Sequence, residues 1–323
     1  MKKPLIILTG PTAVGKTAAS IGLAKAIGGE IISADSMQVY RHMDIGSAKI
    51  RSKEMQGISH HLIDVLEPEE EFHVVKFQQM AKEALDGIYQ RGHIPIVVGG
   101  TGFYIQALLY DISFEDNEED HSYRKELEEL AQEEGAEKLH QMLRQVDEKA
   151  ALEIHANNVK RVIRALEFYH QTGEKISEHN AKEREKESAY NSAYFVLNDD
   201  RANLYERINK RVDAMFEEGL VEEVTALQER GYTRGMVSMQ GAGIQRDFCL
   251  SGRGMYAGRG KKKLSKRDTR HFAKRQITWF KRERDVIWIN KQEYGYQEEK
   301  ILERILKELK VREIFPQKEE EIK

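Results

Sequence analysis

Gly10-Pro11-Thr12-Ala13-Val14-Gly15-Lys16-Thr17 has the spacing of a phosphate-binding loop: two glycines with four residues between them, then a lysine and a hydroxyl. A glycine turn that opens a helix aims several backbone N–H groups at one point, where the helix dipole also favours an anion. Lys16 adds a mobile positive charge, and the Thr17 hydroxyl can ligate a Mg²⁺ carried by the phosphates. A plain glycine turn before a helix is the bland alternative, and the flanks argue against it. Leu5-Ile6-Ile7-Leu8 is apolar on both sides of a pleat, as a buried parallel strand must be, and Ala18 to Ala26 has helical apolar spacing. The expected ligand is a di- or triphosphate.

Two further places could do chemistry. Asp35 closes the apolar run Ile31-Ile32-Ser33-Ala34, and the carboxyl end of such a strand opens toward the same crevice as the loop. A carboxylate there can act as a base, as an outer partner of a metal, or simply as a helix N-cap. Gly99-Gly100-Thr101-Gly102 follows the run Ile94 to Val98, where glycines allow close backbone approach and Thr101 offers a hydroxyl; a tight turn is the alternative. That strand ends in glycine, not in the aspartate expected of a metal-holding Walker B strand. His60-His61 is not a metal pair by spacing, because adjacent side chains point apart.

Composition narrows the setting. The 323 residues include 51 Lys+Arg against 54 Asp+Glu, so net charge alone indicates no nucleic-acid partner. A single cysteine, Cys249, excludes an internal disulfide framework and fits a reducing cytoplasm. No 18-residue apolar run marks a membrane helix, and Met1-Lys2-Lys3-Pro4 leads straight into a strand. The distribution of charge is more telling. Acids dominate from Glu115 to Glu137, whereas Lys266 to Arg284 is basic, with Ala273, Ile277 and Phe280 at helical spacing and Arg267, Arg270, Lys274 and Lys281 on another face. A basic stripe on a packed helix suits nucleic acid, and equally an ordinary solvated face.

The elements that must position these groups alternate along the chain. Strands are expected at Leu5–Thr9, Glu30–Ala34, Ile94–Val98, Tyr194–Leu197 and Val286–Ile289. Helices are expected at 15–27, 72–91, 101–109, 121–133, 159–171, 203–217, 219–230 and 266–284. This alternation predicts an α/β fold, a P-loop NTPase-like parallel sheet with helices on both faces. The stretch 113–190 has only charged helical patterns and reads as a helical insertion domain within a core of 1–112 and 191–316. Residues 317–323 read as a disordered tail.

The chain resembles the bacterial tRNA dimethylallyltransferase (tRNA isopentenyltransferase) family. The resemblance rests on Gly10–Thr17, Ile32-Ser33-Ala34-Asp35-Ser36-Met37-Gln38-Val39-Tyr40, His60-His61-Leu62-Ile63-Asp64 and Val98-Gly99-Gly100-Thr101-Gly102-Phe103-Tyr104. Lys160-Arg161-Val162-Ile163-Arg164-Ala165-Leu166-Glu167 and Thr269 to Phe280, with its Ala-Lys-Arg-Gln-x-Thr-Trp element, extend it over nearly the whole chain. The resemblance implies transfer of a dimethylallyl group from its diphosphate to the exocyclic amine of the adenosine 3′ of the anticodon. Lys16, the loop amides, Mg²⁺ on Thr17 and an arginine, Arg211 in preference to Arg207, would stabilise the departing diphosphate. Asp35 would take the amine proton and Thr101 would fix the diphosphate or the amine. Asp35, Ser36, Met37, Gln38, Thr101, Lys160, Arg161, Val162, Ile163 and Arg164, with Arg124, Arg270 and Lys274, would meet tRNA. The resemblance implies a cytoplasmic monomer with no protein partner. A small-molecule P-loop kinase fits the loop equally well but needs no basic helix, and a noncatalytic RNA-binding protein would leave Asp35 idle.

One stretch departs from the family. Ala242 to Lys262 is too glycine-rich for a stable helix, since each interior Gly costs about 1 kcal/mol relative to Ala. Shifting the reading frame by one base converts Ala242 to Ser251 into Leu-Gly-Tyr-Lys-Glu-Ile-Phe-Ala-Tyr-Leu, which restores the family pattern. A compensated pair of frameshifts over 242–262 is the expectation, and a genuine glycine loop the alternative.

Overall fold

Strands that are apolar on both sides of the pleat can be stable only when both faces of their sheet are covered. The computed structural model, which describes residues 2–114, 122–233, 235–240 and 259–315, has that arrangement. Strands β1 (Pro4–Thr9), β2 (Gly29–Ala34), β3 (His60–His61), β4 (Ile94–Gly99), β5 (Asn191–Asn198) and β6 (Val286–Asn290) form one sheet in the order β3-β2-β4-β1-β5-β6. All pairings are parallel, and central β1 sets Leu8 against Val98 on one side and Phe195 on the other.

Alternate residues feed two cores. Ile6 and Leu8 pack with Ile21 and Leu23 of α1 (Lys16–Ile27), Ile208 of α9 (Arg201–Glu217) and Ile301 and Ile305 of α12 (Glu298–Val311). Leu5 and Ile7, equally buried, point to the opposite face, covered by α2 (Val74–Gln90) and α3 (Gly102–Leu109). Helix α11 (Arg259–Phe280) packs on α9 and on α3, and α10 (Leu220–Glu229) follows α9. Every expected strand is present. The sequence reading overlooked two-residue β3, and it overlooked α12 although Ile301, Ile305 and Leu309 recur at helical spacing. It also carried the basic helix too far: α11 stops at Phe280, and Asp285 takes a left-handed φ of 55° in the turn before β6.

The chain divides into two compact units, Met1–Asp111 with Ser188–Lys323, and Ile112–Glu187. The second contains α4 (Ser122–Glu133), α5 (Ala136–Val146), α6 (Glu148–Glu153), α7 (Val159–Thr172) and α8 (Ile176–Glu185). Leu127, Leu139, Leu143, Val162, Ile163 and Leu166 form its core. Buried Asp147 ties three segments together, accepting from Ala150 N at 2.9 Å, Ser177 N at 2.9 Å and Ser177 Oγ at 2.7 Å. Residues 317–323, read as a tail, and 242–258 of the frameshift stretch lie outside the described residues, while 259–262 open α11. Among the described residues no helix is long and apolar enough to cross a membrane.

Candidate active site

The carboxyl ends of β1, β2 and β4 meet where their glycines permit it. Gly10 has φ 146°, and an added Cβ would lie 2.3 Å from the Leu197 carbonyl oxygen. At Gly99 a Cβ would fall 2.1 Å from the oxygen of Ala34, so β2 and β4 touch backbone to backbone just before Asp35 and Thr101. Thr9 Oγ1 donates to Gly99 O at 2.6 Å and Thr101 N to Ala34 O at 3.2 Å, completing the seam. The phosphate loop, Asp35 and Thr101 therefore border one crevice.

The loop is held by side chains from the far half of the chain. Gln276, buried on α11, accepts from Thr12 N at 2.8 Å and donates through Nε2 to Gly100 O at 3.0 Å. Its two amide ends thus clamp the phosphate loop to the Thr101 loop, and a Cβ on Gly100 would sit 2.1 Å from that nitrogen. Arg207 donates from Nε to Ala13 O at 2.8 Å, and Lys291 from Nζ to Val14 O at 3.3 Å. Sequence reading weighed Arg207 and missed Gln276 and Lys291. Gln276 lies in the Ala-Lys-Arg-Gln-x-Thr-Trp element at core-facing spacing between Ala273 and Phe280, and that spacing is its signal in the sequence. Lys291 left none.

Lys16 folds back onto its own loop, donating to Gly10 O and Pro11 O, each at 2.9 Å. Desolvation lowers its pKa to about 7, with Arg211 adding to the effect and Asp35 opposing it. Arg211 approaches Thr12 Oγ1 at 3.4 Å and Ala48 O at 3.5 Å; burial lowers its pKa, and Asp35 opposes that shift. Asp35 is not a helix cap, because no helix follows it. Its Oδ1 instead accepts from Met37 N at 2.9 Å and Gln38 N at 3.3 Å, a turn that keeps Asp35, Ser36, Met37 and Gln38 half-buried at the crevice. Thr101 occupies the N-cap position of α3 without a side-chain cap bond.

Other expected site residues fare differently. Val162 and Ile163 are 0% and 4% exposed in the core of the second unit, so their side chains cannot meet tRNA; helical periodicity leaves Lys160, Arg161 and Arg164 on the exposed face of α7. Arg124 spends its guanidinium on buried Glu167, in a two-pronged pair at 2.8 and 2.6 Å. Arg270 donates to Asn209 Oδ1 at 2.8 Å and lies over the Tyr205 ring, while Lys266 pairs with Asp213 at 2.7 Å. Arg270 and Lys266 thus pack on α9. Lys274 remains exposed, beside a groove of about 460 Å³ lined also by His271, Arg275, Trp279 and Arg282. His60 and His61 diverge as expected, to Ile58 O and to Glu30, and no cluster of metal-ligating side chains occurs among the described residues.

The chain is similar to known proteins over nearly its whole length. The family model described as IPP transferase matches residues 38–283. A tRNA dimethylallyltransferase of Lachnoclostridium phytofermentans is 59% identical over 319 residues, 97% of this chain and 99% of that protein. The crystal structure of the full-length tRNA isopentenylpyrophosphate transferase of Bacillus halodurans is 40% identical, with a TM-score of 0.71 over 97% of this chain and 98% of the other. A eukaryotic dimethylallyltransferase captured acting on tRNA is 28% identical, with a TM-score of 0.76 over 89% of this chain and 74% of its own.

Proposed function

The chain belongs to the IPP transferase family and transfers a dimethylallyl group to tRNA; we propose that the group comes from dimethylallyl diphosphate and ends on the exocyclic N6 of the adenosine immediately 3′ of the anticodon. The observation that carries this reading is that the phosphate loop, Asp35 and Thr101 stand at the adjoining carboxyl ends of β1, β2 and β4, with Thr101 N donating to Ala34 O at 3.2 Å beside Asp35 and Arg211 reaching Thr12 of the loop. An anion cradle and a proton acceptor share one crevice.

The chemistry follows from that juxtaposition. The bond between the prenyl carbon and its diphosphate oxygen breaks, and the departing diphosphate keeps the electron pair. Lys16, Arg211 and the loop N–H groups meet the charge that develops there. The adenine nitrogen bonds to the freed carbon and gives its proton to Asp35. Both turn bonds of Asp35 fall on Oδ1, which leaves Oδ2 to receive it. Thr101, tied by its N–H to Ala34 beside Asp35, orients the diphosphate or the amine. The target base must leave its stack to reach this depth. Asp35 to Gln38, Lys160, Arg161, Arg164 and Lys274 supply contacts to the RNA.

A Mg²⁺ fits the donors present. The Thr17 hydroxyl is exposed at the start of α1, and a hard cation takes oxygen ligands chiefly from phosphate and water when a protein offers few carboxylates. Bound there through Thr17, the ion would offset negative charge on the leaving group. The same reading places the enzyme in the cytoplasm as a monomer.

Incubation with radiolabelled dimethylallyl diphosphate and bulk tRNA tests the proposal. Label should enter tRNA, and nuclease digestion should release it on adenosine. Phosphorylation of a small acceptor by ATP, without such labelling, would identify a kinase, and RNA binding with no transfer would identify a binding protein.

A further inference from the structure

Lys291 poses a physical problem that the reaction above does not solve. The residue is 6% exposed, and its Nζ meets one backbone carbonyl, Val14 O at 3.3 Å. Burying an ammonium without a counter-ion is unfavourable. Lys49 shows how this fold otherwise manages a buried lysine: at 8% exposure it meets Asp44 at 2.6 Å, Asp64 at 2.5 Å and the Tyr40 carbonyl at 2.7 Å. No carboxylate of the described residues lies within 4 Å of Lys291, and Asp199 and Glu298 act on it only from longer range. Its neighbours make matters worse. A Cβ on Gly15 would lie 3.2 Å from Lys291 Nζ and 3.4 Å from Arg207 Nη2, so two cations press on one glycine. With Lys16 and Arg211 on the crevice side, four cations converge on the loop, where Asp35 borders the crevice and Asp199 and Glu298 act on Lys291 only from longer range.

A polyanion inside the loop resolves that imbalance. We infer that Lys291 is a positioning residue for the prenyl diphosphate: by holding the Val14 carbonyl from behind the loop it turns the N–H of Gly15 into the cradle, and it adds a fourth positive charge to the site. The geometry is that of a single trans peptide, whose C=O and N–H point in opposite directions, so fixing one outward aims the other inward. Arg207 likewise holds the preceding carbonyl, Ala13 O, while the Val14 N–H of that peptide donates to Pro11 O at 3.4 Å and braces the loop from within. The inference rests on the reading of the loop as a diphosphate site.

Calorimetric titration of inorganic diphosphate into the wild type, Lys291→Met and Lys291→Arg, with thermal melts of each, tests it. Methionine keeps the packing of the stem and removes the charge. The expected result is at least a tenfold weaker dissociation constant in Lys291→Met, recovery to within threefold in Lys291→Arg, and unchanged tRNA affinity. The apo melting temperature of Lys291→Met should be unchanged or higher, because an unpaired buried charge has gone, while its rise on adding diphosphate shrinks. A merely structural lysine gives the opposite pattern, with a lower apo melting temperature and normal diphosphate affinity, and that result overturns the inference. Failure of the wild type to bind diphosphate would instead reject the reading of the loop.

Discussion

Strand β2 carries a carboxylate at each end, and the two are treated in opposite ways. Glu30, at the amino end, is 4% exposed and saturated: Arg91 grips it at 2.8 and 2.7 Å, His61 at 2.7 Å and His93 at 2.6 Å. The Arg91 guanidinium above all, with the two imidazoles, holds its pKa down at about 2 against the desolvation of burial. Asp35, at the carboxyl end, is half-buried and bonded to backbone N–H groups through one oxygen only. The cations near it, Lys16 and Arg211, are short of negative charge. A carboxylate whose every lone pair is matched holds a strand in place. A carboxylate with an open oxygen beside underpaired cations can exchange a proton and welcome an anion.

Substitution at the open end should damage chemistry most. Lys16→Ala and Asp35→Ala should each lower the single-turnover rate at saturating tRNA by roughly 10²–10⁴. Asp35→Ala should keep tRNA affinity within about tenfold, since one contact among many is lost. A wild-type chemical rate in Asp35→Ala would remove the base from the mechanism and erase the contrast with Glu30.

The next effect is on pH. Lys16 has a pKa of about 7 in the empty site, so it is largely neutral above that pH, and a bound diphosphate must raise it. Binding above pH 7 is then coupled to proton uptake, and affinity should fall by up to about tenfold per pH unit as pH rises from 7 toward the bound-state value. Calorimetry at pH 8 in buffers of different ionisation enthalpy counts that proton. Uptake of none would mean that Lys16 is charged before the ligand arrives.

At the saturated end the expected effect is on stability. Glu30→Gln should lower unfolding free energy by about 1–3 kcal/mol, because hydrogen bonds to a charged group are lost inside the protein. Transfer kinetics should stay near wild type well below the melting temperature. Since the folded pKa lies below the ordinary carboxylate value, the wild-type advantage is complete above pH 4.5 and disappears as pH falls toward 2. Urea titrations of both proteins at several pH values check this; an equal difference at pH 7 and pH 3 would refute the ionic account.

The smallest expected effect sorts matched from open cations within α11. Lys274→Gln should reduce the slope of log affinity for tRNA against log salt by about 1, whereas Lys266→Gln, whose partner is Asp213, should leave the slope alone. Equal slopes for both would return the helix to an ordinary solvated face. Peptide mapping of residues 240–266 would decide the frameshift independently, because peptides that match the written sequence exclude a reading error.

Legibility followed range. Strands such as Leu5–Thr9 and Ile94–Val98 were readable because their signal is local, an apolar run bounded by glycine or charge. Asp35 and Thr101 were readable because parallel strands place their carboxyl ends together whatever the loops do. Side chains that act across the fold were not. Lys291 looks like any surface lysine until β6 carries it behind Val14. Arg124 and the Arg270 guanidinium look free until Glu167 and Asn209 claim them. Val162 and Ile163 lie within a basic motif, yet a helix gives consecutive residues different faces, and theirs is the core.

The clamp made by Gln276 has a consequence for how the protein comes into being. The phosphate loop leaves the ribosome long before the residues that hold it: Gln276, which holds Thr12, is 264 positions further on, and Lys291, which holds Val14, is 277 positions beyond its partner. Even β1, at the centre of the sheet, must wait for Asn191 to Val196 before its second neighbour exists. Contacts of such separation close late and slowly. Until α11 and Lys291 emerge, the growing chain therefore carries a complete phosphate-binding motif without the side chains that hold it in shape, and a nascent chain stalled before α11 should have the motif without the binding.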